Sequence, residues 1–132
     1  PLSEHLNLFE NALLITKNNI VFGTGLKTFR NMCFGKMYEF SNSNCSTHPH
    51  NYYLEVLSEL GTIGIVLFLM LVIFIFKKKF IIENKKYKTL LILFLVCFLF
   101  PFQTTGSFFN NYNSFVFFFI LSNYFYLSNN RV

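Results

Sequence analysis

The sequence predicts an all-α integral membrane protein in which about three transmembrane helices follow an extramembrane loop carrying an amphipathic helix. Two observations carry the prediction. Of 132 residues, 53% are hydrophobic, twenty are Phe and only 13% are charged. A soluble domain of this size has too much surface to hide that many phenylalanines. The charges are also unevenly placed: six of the nine lysines fall between Lys77 and Lys88, and residues 89 to 130 hold no charged side chain. Long uncharged runs bounded by basic clusters are the pattern of segments that cross a bilayer.

The elements follow in order. In residues 1 to 20, Leu6, Phe9, Leu13 and Leu14 recur near helical spacing and Asn18-Asn19 marks an end. This stretch is too short and too polar on one side to span, so it reads as an amphipathic helix lying against the membrane. The stretch that follows, up to Asn51, carries Gly23, Gly25, Gly35, two cysteines and a Ser/Asn cluster, the composition of an ordered loop. Residues 1–55 are therefore assigned to the loop and 56–132 to a membrane domain. The first span, 56–76, contains sixteen uncharged residues from Gly61 to Phe76. Val56, Leu57 and Leu60 extend it to the roughly 20 residues that a bilayer needs. Lysines 77–79 stop it. A second span covers 89–108, with Pro101 as a kink and a polar end from Gln103 to Ser107. After a turn at Asn110, Asn111 and Asn113, a third covers 114–128. Gly61 and Gly64 suit close helix packing. The chain opens at Pro1 without an initiator Met or a signal peptide, and reads as the C-terminal fragment of a longer polytopic protein.

Orientation follows from the lysines. The loop 77–88 sets six lysines against Glu83 and belongs in the cytoplasm. The first fifty residues and the Asn-rich turn then face the other side, the periplasm if the membrane is a Gram-negative inner membrane. The net charge of +5 is no nucleic-acid footprint, because the lysines flank apolar runs instead of lying with arginines and exposed aromatics on a soluble scaffold. Lipid is the expected partner, nucleic acid is not. Cys33 and Cys45 both lie in the outward loop, where disulfides persist; a bridge or a pair of free thiols would each fit the spacing, and the bridge is the expectation. Cys97 sits mid-span as a small apolar residue.

The densest polar cluster is Thr47-His48-Pro49-His50-Asn51. Two histidines with Cys45 nearby raise a metal site, but no carboxylate pair completes one, and none is expected. The plain alternative is that the histidines cap the following helix and bond the loop. Chemically, a neutral imidazole at headgroup depth is suited to take a proton from a sugar hydroxyl near neutral pH. Glu55 and Glu59 share a helix face, where either would orient an imidazole or simply sit favourably at a helix start. The last two spans carry no charged residue, which argues against a transport path.

The wider context gives this cluster a direction. His50-Asn51 is followed after nine residues by Gly61 and then Gly64. Upstream stand Phe22-Gly23-Thr24-Gly25-Leu26-Lys27-Thr28-Phe29-Arg30, then Cys33, then Cys45-Ser46-Thr47-His48-Pro49-His50-Asn51. Downstream stand Tyr53-Leu54-Glu55, Glu59-Leu60-Gly61, Phe100-Pro101 and Thr105-Gly106-Ser107-Phe108-Phe109-Asn110-Asn111. This ordered series resembles the O-antigen ligase and polymerase superfamily over most of residues 3 to 114. The resemblance implies a GT-C-like polytopic glycosyltransferase of the bacterial inner membrane. Such an enzyme moves a glycan from an undecaprenyl diphosphate carrier to a hydroxyl at the periplasmic face. The acceptor is the lipid A core in a ligase and the end of a growing glycan in a polymerase. It implies no metal, no nucleotide sugar and no other cofactor. His50 matches the signature histidine and takes the role of base. Arg30 and Lys27 are the cations expected to meet the diphosphate, where charge develops as the bond breaks; His48 and Asn51 complete the expected substrate contacts. Ligases of this kind are thought to use arginines further upstream than Arg30, and no Arg precedes Arg30 here. A non-catalytic membrane subunit is the reading from another class, and it predicts that His50 is replaceable.

Overall fold

A computed structural model describes residues 2–35, 45–78, 85–102 and 106–129, and within them the fold is helices joined by turns, with no strand. The helices are α1 (Leu2–Asn18), α2 (Phe29–Phe34), α3 (Tyr52–Lys78), α4 (Lys85–Phe98) and α5 (Asn111–Asn129). The centre of the lysine-rich connection, on which the orientation was argued, lies outside the described residues, as do Gln103, Thr105 and Arg131.

Helix α1 has two apolar sides. Leu8, Asn11, Ala12 and Ile15 are buried, at the i, i+3, i+4, i+7 spacing of one helical face. Ala12 and Ile15 pack with Phe29 and Cys33 of α2, and Met32, Cys45 and Leu54 close around them. Leu6 and Leu13, part of the stripe read from the sequence, point outward. The packed face is the one carrying the small Ala12 and the polar Asn11, whose Nδ2 lies 3.6 Å from Cys33 Sγ. The helix ends as its last carbonyls find side-chain donors: Asn18 Nδ2 to Leu14 O at 3.0 Å and Asn19 Nδ2 to Ile15 O at 3.1 Å.

Helix α3 is not continuous. Gly61 has φ 68° and ψ −163°, far from helical values, so α3 is two helices joined at a kink. A break of this kind exposes carbonyls on one side and amides on the other. The segment 20–25 threads past it and satisfies both sets. Thr24 N donates to Ser58 O (3.1 Å) and Gly25 N to Glu59 O (2.8 Å), while Thr62 N donates to Ile20 O (2.8 Å) and Ile63 N to Val21 O (3.3 Å). The two backbones approach so closely that a methyl group on Gly23 would overlap the Glu59 carbonyl, and one on Gly61 the Val21 carbonyl. Helix packing, the role suggested by the sequence for Gly61, is thus replaced by a backbone crossing that needs both a positive φ and an absent side chain.

Beyond the break, α3, α4 and α5 share a core of Phe68, Ile75, Leu91, Leu95, Leu99, Phe117, Leu121 and Tyr124, with Tyr52, Val56 and Phe108 at one end. Phe108 is the hub of that end: its ring lies 5.4 Å from Tyr52 and Phe68 and 5.6 Å from Phe117. Such ring pairs add about 0.5–1.5 kcal/mol each beyond the area they bury. The outer surface is apolar as well, with Leu67, Met70, Leu93, Phe115 and Phe119 each more than half exposed. Lipid accepts that surface and water penalises it. Among the described residues one helix, Tyr52–Lys77, is long and apolar enough to cross a membrane by length and composition; the apolar run of α4, Lys88–Phe98, is shorter.

The expected second span, 89–108, departs most from the structure. Helix α4 stops at Phe98 and the chain turns at Pro101. A proline disfavours helical backbone in the residue before it. The freed carbonyls are taken by the start of α3, Leu99 O by Tyr53 OH and Pro101 O by Asn51 Nδ2, both at 2.7 Å.

Two outcomes follow. Gly61→Ala should lower stability by at least about 2 kcal/mol, combining a left-handed residue with backbone overlap, and a thermal melt in detergent would read this as a lower Tm. Cys33 and Cys45 are joined in a disulfide across a sequence separation of 12. Opening it with Cys33→Ser should cost about 3 kcal/mol by loop entropy, and a reducing agent should lower the Tm of the parent but not that of the variant.

Candidate functional site

The site is built at the foot of α3. Asn51 is its N-cap: Oδ1 accepts from the amides of Tyr53 (3.0 Å) and Leu54 (3.2 Å). With Nδ2 donating to Pro101 O, both ends of this buried amide are used inside the fold. Asn51 therefore couples the start of α3 to the end of α4 and fixes the turn before it. In that turn Pro49 is fully buried and His50 stands in left-handed backbone, φ 56°. Non-glycine residues avoid that region, and those held there cluster at functional sites.

The turn gathers all three histidines of the chain. The His50 ring lies 4.2 Å from that of His48 and 5.3 Å, edge to face, from that of His5 on α1. His50 Nε2 is 3.4 Å from Ser46 Oγ, and His48 Nδ1 is 2.9 Å from Thr47 Oγ1. Among the described residues no group of three or more His, Cys, Asp or Glu is arranged to hold a metal ion.

Beside the histidines opens a cavity of about 380 Å³ lined by Lys27, Thr47, His48, Gly106, Ser107, Asn110 and Asn111. Lys27 is its cation, and the rest of the lining is hydroxyls, amides, an imidazole and backbone. His48 is on the wall; His50 is not part of the lining, and its ring lies 4.2 Å from that of His48. Arg30 is exposed on α2 and is not part of the lining. Of the residues singled out in the sequence, the structure thus brings His48, His50 and Lys27 together, gives Asn51 to the scaffold, and leaves Arg30 apart.

Two buried glutamates hold the cavity walls. Glu59 accepts from the amides of Lys27 (2.6 Å) and Phe29 (3.1 Å), which fixes the Lys27 turn with its own φ of 59°. Glu55 accepts from Ser107 Oγ (2.5 Å) and Phe108 N (2.6 Å), which fixes the opposite wall. Neither is shown bonding an imidazole; each holds a loop. The wall is finished by Asn110, whose Oδ1 caps α5 through the Tyr112 amide at 3.1 Å, and by Asn113 Nδ2 donating to Ser107 O at 2.8 Å. His5, Ser107, Asn110 and Asn111 were not singled out as site residues. The Gly-Ser-Phe-Phe-Asn-Asn run was the available signal for the last three; His5 had none, because only the packing of α1 brings it here.

A family model described as O-antigen ligase matches residues 2–69, more than half of the chain, and the chain belongs to that family. No curated protein and no solved structure matches it. The match contains α1, both crossing glycines, Lys27, Glu55, Glu59 and the histidine turn.

The cap makes a graded prediction. Asn51→Asp keeps the acceptor for Tyr53 and Leu54 but removes the donor to Pro101, whereas Asn51→Ala removes both. The alanine variant should lose about 1–2 kcal/mol more than the aspartate one, the usual value of an N-cap, as read by the difference between their Tm shifts.

Proposed function

We propose, from membership of the O-antigen ligase family, that this chain carries the acceptor-activating part of a membrane glycosyltransferase with His50 as its base. The donor is a glycan on undecaprenyl diphosphate and the acceptor a hydroxyl of the lipid A core. The histidine turn faces the periplasm, and the membrane domain is part of a multi-pass, GT-C-like architecture. The observation that carries the reading is the constraint on His50. It is a non-glycine residue in left-handed backbone, set by a capped helix and a buried proline, beside two further imidazoles and a polar cavity that holds Lys27.

The chemistry is a displacement at the anomeric carbon. The acceptor oxygen forms the new glycosidic bond as the bond from the anomeric carbon to the carrier diphosphate breaks. The acceptor proton passes to the imidazole, and the electron pair of the broken bond leaves on the diphosphate. The reaction needs a base near the acceptor and positive charge near the leaving group. His50 supplies the first, with His48 between it and the cavity contacting the substrate. Lys27 supplies the second within this chain, while Arg30, exposed on α2 and outside the cavity lining, would have to reach the diphosphate from beyond it. The neutral amides and hydroxyls of Ser107, Asn110 and Asn111 suit sugar hydroxyls, each of which donates one hydrogen bond and can accept two.

Complementation tests the assignment. The full protein with His50→Ala, scored by surface glycan in a ligase-null host, should lose the glycan ladder, and its rate should fall by at least about 100-fold, the usual contribution of a general base. Full activity at a normal membrane level would sink the assignment and leave a non-catalytic subunit. Rescue by the parent protein of a polymerase-null host instead of a ligase-null one would move the acceptor to the growing glycan.

A further inference from the structure

His5 sits in the opening turns of α1, far from the histidine turn in sequence, yet its ring meets that of His50 with planes at 81°. Its Nδ1 is buried and has no hydrogen-bond partner. Buried polar nitrogens are nearly always paired, so each exception asks for a reason. Leu8, Ala12 and Ile15 show what α1 uses where burial is the whole task, and an apolar side chain would fill this place without leaving a nitrogen unpaired.

The neighbouring base supplies a reason. A general base is effective only at the right angle to the proton it takes, and a third group commonly orients it. The two nearby carboxylates hold the Lys27 turn and the Ser107 wall. An imidazole that gains a proton presents donors on both ring nitrogens, and the His5 ring lies edge to face against it, 5.3 Å between centroids. We propose that His5 is the positioning residue for His50. Its Nδ1 accepts a hydrogen bond from the His50 ring as that ring takes the acceptor proton, and so keeps the ring aimed toward the cavity. The proton stays on His50 and is returned to solvent after transfer; His5 touches no substrate. This inference rests on the assignment of His50 as base.

The test uses the full protein in membrane vesicles, with a lipid-linked glycan donor and its acceptor, at matched membrane levels. His5→Phe keeps a ring and removes Nδ1, whereas His5→Asn places an amide near the position of Nδ1. The phenylalanine variant should lose about 10–100-fold in kcat with KM for both substrates within about threefold, the scale of losing an orienting partner. The asparagine variant should recover most of that loss, and neither should reduce activity further in a His50→Ala background. Packing alone predicts the opposite order, with Phe the better substitute. Wild-type kcat in His5→Phe, or equal losses in both variants, would overturn the proposal while leaving an inactive His50→Ala to support the base. An active His50→Ala would remove both.

Discussion

The crossing of segment 20–25 through the break at Gly61 is the constraint on which the rest of the structure depends. A kinked apolar helix leaves backbone groups without intrahelical partners, and near lipid each unpaired group costs several kcal/mol. Here four backbone hydrogen bonds between the segment and α3 remove that cost. They also fix where the segment before α3 stands on that helix, because the bonds run to both halves of α3. A segment bonded on both sides of a kink cannot slide along the helix, so the positions of α1, the Lys27 turn and α2 follow from it.

The buried polar face of α3 extends that logic from the break toward the start of the helix. Asn51, Glu55, Ser58 and Glu59 are all buried on a helix whose other residues are largely apolar. Each carries a connection: Asn51 to the end of α4, Glu55 to the start of the α5 wall, Ser58 and Glu59 to the Gly23–Phe29 turn. Removing one partner from such a set is costlier than the bond itself is worth, since a buried group is left unsatisfied. The cavity is thus bounded by two loops that are both referenced to a single helix, which is how a site made of loop residues acquires fixed geometry.

Much of this was legible in the sequence, and the parts that were not share a cause. The apolar run of α3, the end of α1 at Asn18 and the histidine cluster all rest on local pattern, which a sequence displays directly. The roles of Gly61, Glu55 and Glu59 rest on partners 30 to 53 positions away. A glutamate four residues from another on one helix face suggests charge placement, and nothing local says that each grips a different loop. Helix α4 is shorter than the expected span of 89–108: the apolar run continues past Leu99, while Pro101 and the donors of α3 end the helix earlier. The face of α1 was ambiguous because leucines occur on several sides, and the choice is made by Ala12 and Asn11, the least hydrophobic members of the buried set.

The distribution of polarity also bears on the base role proposed for His50. The histidine turn lies where the apolar bundle, closed by Phe108 and its neighbouring rings, gives way to the polar cavity. On the bundle side the backbone and ring positions are set by packed aromatics, which have few rotamers to lose. On the cavity side the groups are hydroxyls, amides, an imidazole and one ammonium. In the proposed role, His50 has its backbone held by the buried Pro49 and the Asn51 cap and its ring beside those of His5 and His48, with the cavity that His48 lines as the place for the substrate. Positioning of this kind supplies rate because the entropy of alignment is removed before the reacting groups meet. On this argument, the left-handed backbone of His50 is part of the device: a relaxed turn at that point would send the ring elsewhere, and the buried proline before it and the asparagine cap after it prevent that relaxation.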